Sequence, residues 1–92
     1  MKPIRWNSEK SLSLKAERGV SFEEVLSAIS QGSLIAVMDH PSRAKYGHQR
    51  MLVVAIRDYA YLVPYVESEN EIFLKSIMPS RKATRDFLSG GK

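Results

Sequence analysis

The sequence predicts an α+β domain: two N-terminal helices, a four-stranded, mainly antiparallel sheet, and a C-terminal helix. Three observations carry this. The first third of the chain has two capped stretches at helical spacing, the middle has branched and aromatic runs of strand length, and Pro79-Ser80 then stops the last run.

Asn7 or Ser8 can cap a first helix that runs through Glu9, Lys10, Leu12, Leu14 and Ala16, and Gly19 supplies a left-handed residue to end it. Ser21 stands three residues before Glu24, the capping-box arrangement in which each side chain satisfies the other residue's backbone N–H, with Val20 placed to staple onto Val25. Phe22, Val25, Leu26 and Ile29 then form an apolar stripe until Gly32. Strand-like runs follow at Leu34–Met38, Met51–Ile56, Tyr59–Val66 and Ile72–Met78. Arg57-Asp58 makes a tight link, and a short link spans residues 67–71, so the last three runs should form an antiparallel meander. Residues 39–48 form the one long loop. Pro64 cannot donate to a ladder, which predicts an edge position or a bulge there. Ser80 caps a last helix over 81–88, and residues 89–92 read as a flexible tail.

The 92 residues suit a single domain, and 43% hydrophobic with 26% charged residues is ordinary globular composition. With no cysteine, disulfide scaffolds, thiolate metal sites and thiol catalysis are excluded. No apolar run approaches the roughly 18 residues of a membrane span, and the N-terminus shows charge without an apolar stretch behind it, so the expectation is a cytoplasmic protein with no membrane association. Phosphate-loop, serine-elbow and His-Glu-x-x-His patterns are absent. Asp39, His40 and His48 lie in or beside the long loop, but a catalytic metal needs three ligands in fixed geometry, so exposed histidines and no metal or cofactor are expected.

The net charge of +4 favours a polyanionic partner, and its distribution is uneven. Lys75, Arg81, Lys82, Arg85 and Lys92 oppose only Asp86 at the C-terminal end. That end is either a phosphate-binding face or a solubilising one. Arg43, Lys45, His48 and Arg50 of the long-loop region can join it in one cationic cleft if the relevant strands end on the same side of the sheet. Metal-free RNA cleavage needs the 2′-hydroxyl deprotonated, the phosphorane charge neutralised and the leaving oxygen protonated, and Arg, Lys, His and Tyr can supply all three. A passive phosphate-binding surface uses the same residue types. Tyr59, Tyr61 and Tyr65 alternate along one strand with Val63 on their side, as a base-stacking row or as core packing under a helix.

Three blocks of residues resemble a known family. Trp6 and Lys10 match an opening aromatic-x-Trp-Asp-x-x-Lys, with Ile4 at its aromatic and Asn7 at its Asp position. Gly19, Val20, Ser21, Phe22, Glu23 and Glu24 match Gly-Val-Ser-Phe-Glu-Glu, and Arg81, Lys82, Ala83 and Thr84 match a closing Arg-Lys-Ala-Thr. On these the chain resembles the BrnT-type toxins of bacterial type II toxin–antitoxin systems, which have a RelE-like ribonuclease fold. It departs from the pattern at Asn7 (Asp), Leu14 (Asn), Arg18 (His), Pro79 (Ser) and Phe87 (Glu). The resemblance implies a metal-independent ribonuclease acting on mRNA, silenced in a hetero-oligomer by a cognate antitoxin that is a small DNA-binding protein. Arg81 and Arg50 carry over from the family. With Lys75 and His48 they form the candidate catalytic set, and Arg43, Lys45, Lys82, Arg85 and Tyr61 are the candidate nucleic-acid contacts. The alternative is a non-catalytic binding module, a degenerate toxin that works through its complex with a DNA-binding partner.

Overall fold

The computed structural model describes residues 2–39 and 49–88. In chain order these form β1 (Ile4–Arg5), α1 (Ser8–Arg18), α2 (Phe22–Ser30), β2 (Leu34–Asp39), β3 (Gln49–Ile56), β4 (Tyr59–Glu67), β5 (Ile72–Leu74) and β6 (Met78–Pro79). The terminal helix α3 begins as Arg81–Ala83 and widens into a π-helical turn over Thr84–Leu88.

Local hydrogen bonding sets the helix ends. Asn7 Oδ1 accepts from the Lys10 N–H at 2.9 Å, and Gly19 closes α1 with φ 76°. At α2 the capping box is complete: the Glu24 N–H donates to Ser21 Oγ at 3.2 Å, and the Ser21 N–H donates to Glu24 Oε2 at 3.0 Å. Val20 and Val25 flank it, both fully buried. Ser21→Ala should therefore cost about 0.5–2 kcal/mol of stability, read as a shift of the urea midpoint at unchanged slope. A loss of only a few tenths would show that the box contributes little.

The expected four-stranded sheet is in fact a mixed sheet of six strands, ordered β1-β5-β4-β3-β2 with β6 also on β4. From β2 to β5 the pairing is antiparallel, as the short links demanded for β3 to β5, but β1 joins β5 in parallel, with Ile4 opposite Ile72. A two-residue strand has no periodicity to betray it. The run expected as one strand over Ile72–Met78 is two strands, and Pro64 accounts for the break. Pro64 lies in the central strand β4 rather than at an edge. Its carbonyl accepts from the Lys75 N–H at 2.8 Å, so the side where it lacks a donor faces β5 and β6. Tyr65 pairs with Leu74 and Leu62 with Met78. Val63 and Pro64 thus oppose Lys75, Ser76 and Ile77, and the neighbouring strand carries the extra residue.

The β3–β4 hairpin turns on Arg57 and Asp58, both at positive φ (52° and 65°), the backbone of a type I′ turn. Two non-glycine residues hold this conformation because Arg57 is tied down: Nη1 meets Glu24 Oε1 at 2.7 Å and Nη2 donates to the Gly19 carbonyl at 3.0 Å.

α1 and α2 cover one sheet face. Leu14, Val20, Phe22, Val25 and Ala28 pack there on Leu52, Val54, Ile56, Val63, Tyr65, Leu74 and Ile77. Ser11 is buried between the helices, donating to Glu23 Oε1 at 2.6 Å and accepting from the Phe22 N–H at 3.0 Å. A smaller cluster on the other face joins Ala83 of α3 to Val53 and Ala60, with Ile35, Ala36 and Leu62 beside them. A bulge between Leu34 and Ala36 puts Ile35 and Ala36 both on that side.

Candidate functional site

α3 is stitched to the hairpin end of β4. The Ser80 N–H donates to the Ala60 carbonyl at 3.0 Å, and Thr84 Oγ1 accepts from the Ala60 N–H at 2.9 Å while donating to the Ser80 carbonyl at 2.8 Å. Ser80 Oγ caps the helix by accepting from the Ala83 N–H at 3.0 Å. With Ala83 buried against the sheet, Arg81, Lys82 and Arg85 are left exposed. Lys82 and Arg85 share Asp86, at 2.8 and 3.5 Å. The Lys82 hydrogen bond, against desolvation and with the charges of Lys82 and Arg85, holds the Asp86 carboxyl below its ordinary value. Arg81 has no ion pair among the described residues.

Arg50 lies elsewhere. It pairs with Tyr65, a residue of the helix-covered face, and its Nε meets Asp39 Oδ1 at 3.4 Å across the β2–β3 ladder. From the level of Tyr65 to Ala60, where α3 attaches, is five residues along β4, roughly 17 Å at about 3.3 Å per residue. Arg50 and the α3 cations are therefore at opposite ends of the sheet and on opposite faces. The structure does not bring them into one cleft.

Lys75 is at the Arg50 end, one residue past Leu74 and beyond the end of β5. It stands 5.3 Å from the centroid of the Phe73 ring, in an open groove of about 580 Å³ between the start of α1 and β5. Lys10 lines the same groove. Sequence reasoning passed it over, although a lysine in a helix's first turn opposes the dipole and was a readable signal.

Tyr61 shares its face with Tyr59, Val63 and Tyr65, as expected, and that face is the one under α1 and α2. Tyr65 is 4% exposed and part of the core, Tyr61 packs against it half-buried, and the rings of Tyr59 and Tyr61 meet edge to face at 5.7 Å. Core packing accounts for Tyr65 and for the covered part of Tyr61. Arg43, Lys45 and His48, together with His40 and the tail over 89–92, lie outside the described residues.

A second polar cluster joins α1, α2 and the β3–β4 hairpin. Burial pushes the Glu24 carboxyl up, but hydrogen bonds from Lys15 (2.8 Å), Arg57 and the Ser21 N–H outweigh it and hold the group at about 2. The open depression beside it, about 320 Å³, is lined by Ser27, Gln31 and Ser33. Every charged group in this cluster is engaged in holding the fold together. Among the described residues no three His, Asp or Glu side chains lie close enough to hold a metal ion, and no helix is long and apolar enough to cross a membrane. Comparison of the chain with family models, curated proteins and solved structures returns no match.

Proposed function

We propose that the protein is a toxin-like, metal-independent ribonuclease that binds mRNA through its basic C-terminal helix and is neutralised by a cognate antitoxin. The observation that carries this reading is the exposed cationic side of α3, where Ser80, Ala83 and Thr84 anchor the helix and leave Arg81, Lys82 and Arg85 outward, Arg81 without an acidic partner among the described residues. These four consecutive residues from Arg81 to Thr84 are the block that resembles the closing motif of the BrnT-type toxins. Two of the block's residues do the anchoring and two present charge. The α+β architecture, with paired helices on one sheet face and α3 on the other, is compatible with a RelE-like fold.

In this reading the antitoxin brings carboxylates to the α3 cations and apolar side chains to Phe87 and Leu88, which are 43% and 39% exposed at the helix end. An acidic amphipathic segment meets both demands, and RNA is displaced by direct competition. The non-catalytic alternative is favoured by the separation of Arg50 from Arg81, which leaves the two family-like arginines too far apart to act on one phosphate.

The test is incubation of the full chain with RNA in the presence of a chelator, beside Arg81→Ala. Cleavage that is abolished in the variant supports the ribonuclease; RNA bound but intact selects the binding module. In the same experiment Arg81→Gln with Arg85→Gln should weaken RNA binding and flatten its salt dependence by about 0.7 for each phosphate the variant no longer neutralises. An unchanged slope would reduce the α3 charges to a solubilising role.

A further inference from the structure

The groove between α1 and β5 is lined by Asn7, which caps α1, by Leu74, which belongs to the core, and by charged and aromatic residues that have no such part in the fold. Its walls carry two ammoniums, Lys10 and Lys75, on separate elements. Phe73 lines it as well, and Lys75 overlies the half-buried Phe73 ring at 5.3 Å. Both lysines are exposed, and neither makes an ion pair among the described residues. Lys10 also stands in the first turn of α1, where a cation opposes the helix dipole and the neighbouring Glu9 favours it. Glu9 and Ser13 bring hydrogen-bond acceptors to the same wall.

Two cations, a flat aromatic ring and hydroxyl-matching acceptors within one open groove of about 580 Å³ make up the chemistry that receives a nucleotide. A carboxylate such as Glu9 would repel a phosphate placed directly on it. It is well suited to accept from a ribose 2′-hydroxyl, the group that separates RNA from DNA.

We propose that this groove seats one nucleotide of a single-stranded RNA, its phosphate on Lys10 and Lys75, its base against Phe73 and its 2′-hydroxyl on Glu9. The inference rests on the RNA-binding reading above and adds to it a subsite towards the end of the sheet opposite the hairpin where α3 attaches. When the nucleotide enters, the Lys75 ammonium leaves the ring for the phosphate, and the ring face is released for stacking. The charge in the groove thus steers the strand, and the ring holds the base with little regard to sequence.

The experiment is fluorescence anisotropy of the full chain with a short single-stranded RNA and the matching DNA, each over a salt series, with RNA integrity checked on a gel. Lys10→Gln and Lys75→Gln should each lower affinity, and together they should flatten the salt dependence by about 0.7, the equivalent of one phosphate. Both positions are exposed, so the thermal melt should not fall, and removing the Lys10 charge from the first turn of α1 should if anything raise it. Phe73→Leu should weaken binding about tenfold with the slope preserved, because it removes a stacking surface and no charge. Glu9→Gln should narrow the preference for RNA over DNA. If the wild-type chain binds RNA and the double lysine variant binds it with the same affinity and slope, the groove is not the subsite and the α3 reading stands. If the wild-type chain binds no RNA, both fall.

Discussion

Phe22→Ala is expected to bring the domain close to unfolding. Phe22 is fully buried at the start of α2, among the largest side chains of the main core, with its ring 6.1 Å from that of Trp6. Truncating a buried phenylalanine costs about 3–5 kcal/mol, because the forfeited transfer free energy is joined by a cavity that rigid neighbours fill only in part. A chain of this length has on the order of 5–14 kcal/mol in total. The Phe22 N–H keeps its bond to Ser11 Oγ in the variant, so the loss reports packing alone. Urea titration reads it as a large fall in midpoint, whereas Leu12→Ala, at a position 73% exposed, should shift it by less than about 0.5 kcal/mol. A Phe22→Ala loss below about 1 kcal/mol would contradict a core built around this ring.

The second large effect is acid sensitivity through Glu24. Its folded-state value of about 2 lies below the ordinary 4.5, so between those values the unfolded chain binds a proton that the folded chain refuses. The stability this confers is complete above about 4.5 and is lost as the pH falls towards 2. At 1.36 kcal/mol per unit the shift sets an upper figure of about 3 kcal/mol. The true effect is smaller, since the Glu24 side chain is 25% exposed and its partners Lys15 and Arg57 are 54% and 61% exposed. Glu24→Gln should lower stability near neutrality and flatten its fall over the acid range, measured as unfolding free energy against pH. Parallel curves for the two proteins would assign the acid transition to other carboxylates. The structural stake is larger than one ion pair, because Glu24 serves the α2 cap, the end of α1 through Lys15 and the strained hairpin through Arg57.

The helix ends were legible because each is decided within four residues. Asn7, Ser21 and Ser80 act as caps by bonding an N–H three positions on, and Gly19 turns left-handed on its own backbone. The strand runs from β2 to β4 were legible from composition and spacing. β1 and β6 were not, since each is two residues long and exists only because β5 and β4 offer an open ladder. Pro64 was legible as a residue that disrupts pairing, but which strand would yield depended on the neighbour its missing donor faces.

For the candidate site, the exposure of Arg81, Lys82, Arg85 and Lys75 followed from charge, while their grouping did not. A single cleft with Arg50 was one outcome the sequence allowed. The register put Arg50 opposite Tyr65 on the helix-covered face and attached α3 at Ala60, five residues away on the other face. Lys10 and Lys75, 65 positions apart, line one groove because β1 lies parallel to β5 and α1 follows it directly. Sequence by itself determined the caps, the turns, the apolar faces and the amount of charge, all of which depend on bonds and periodicities a few residues long. Tertiary structure alone decided which cations share a surface, because strand order and register are set by contacts between segments whose separation along the chain carries no local signal.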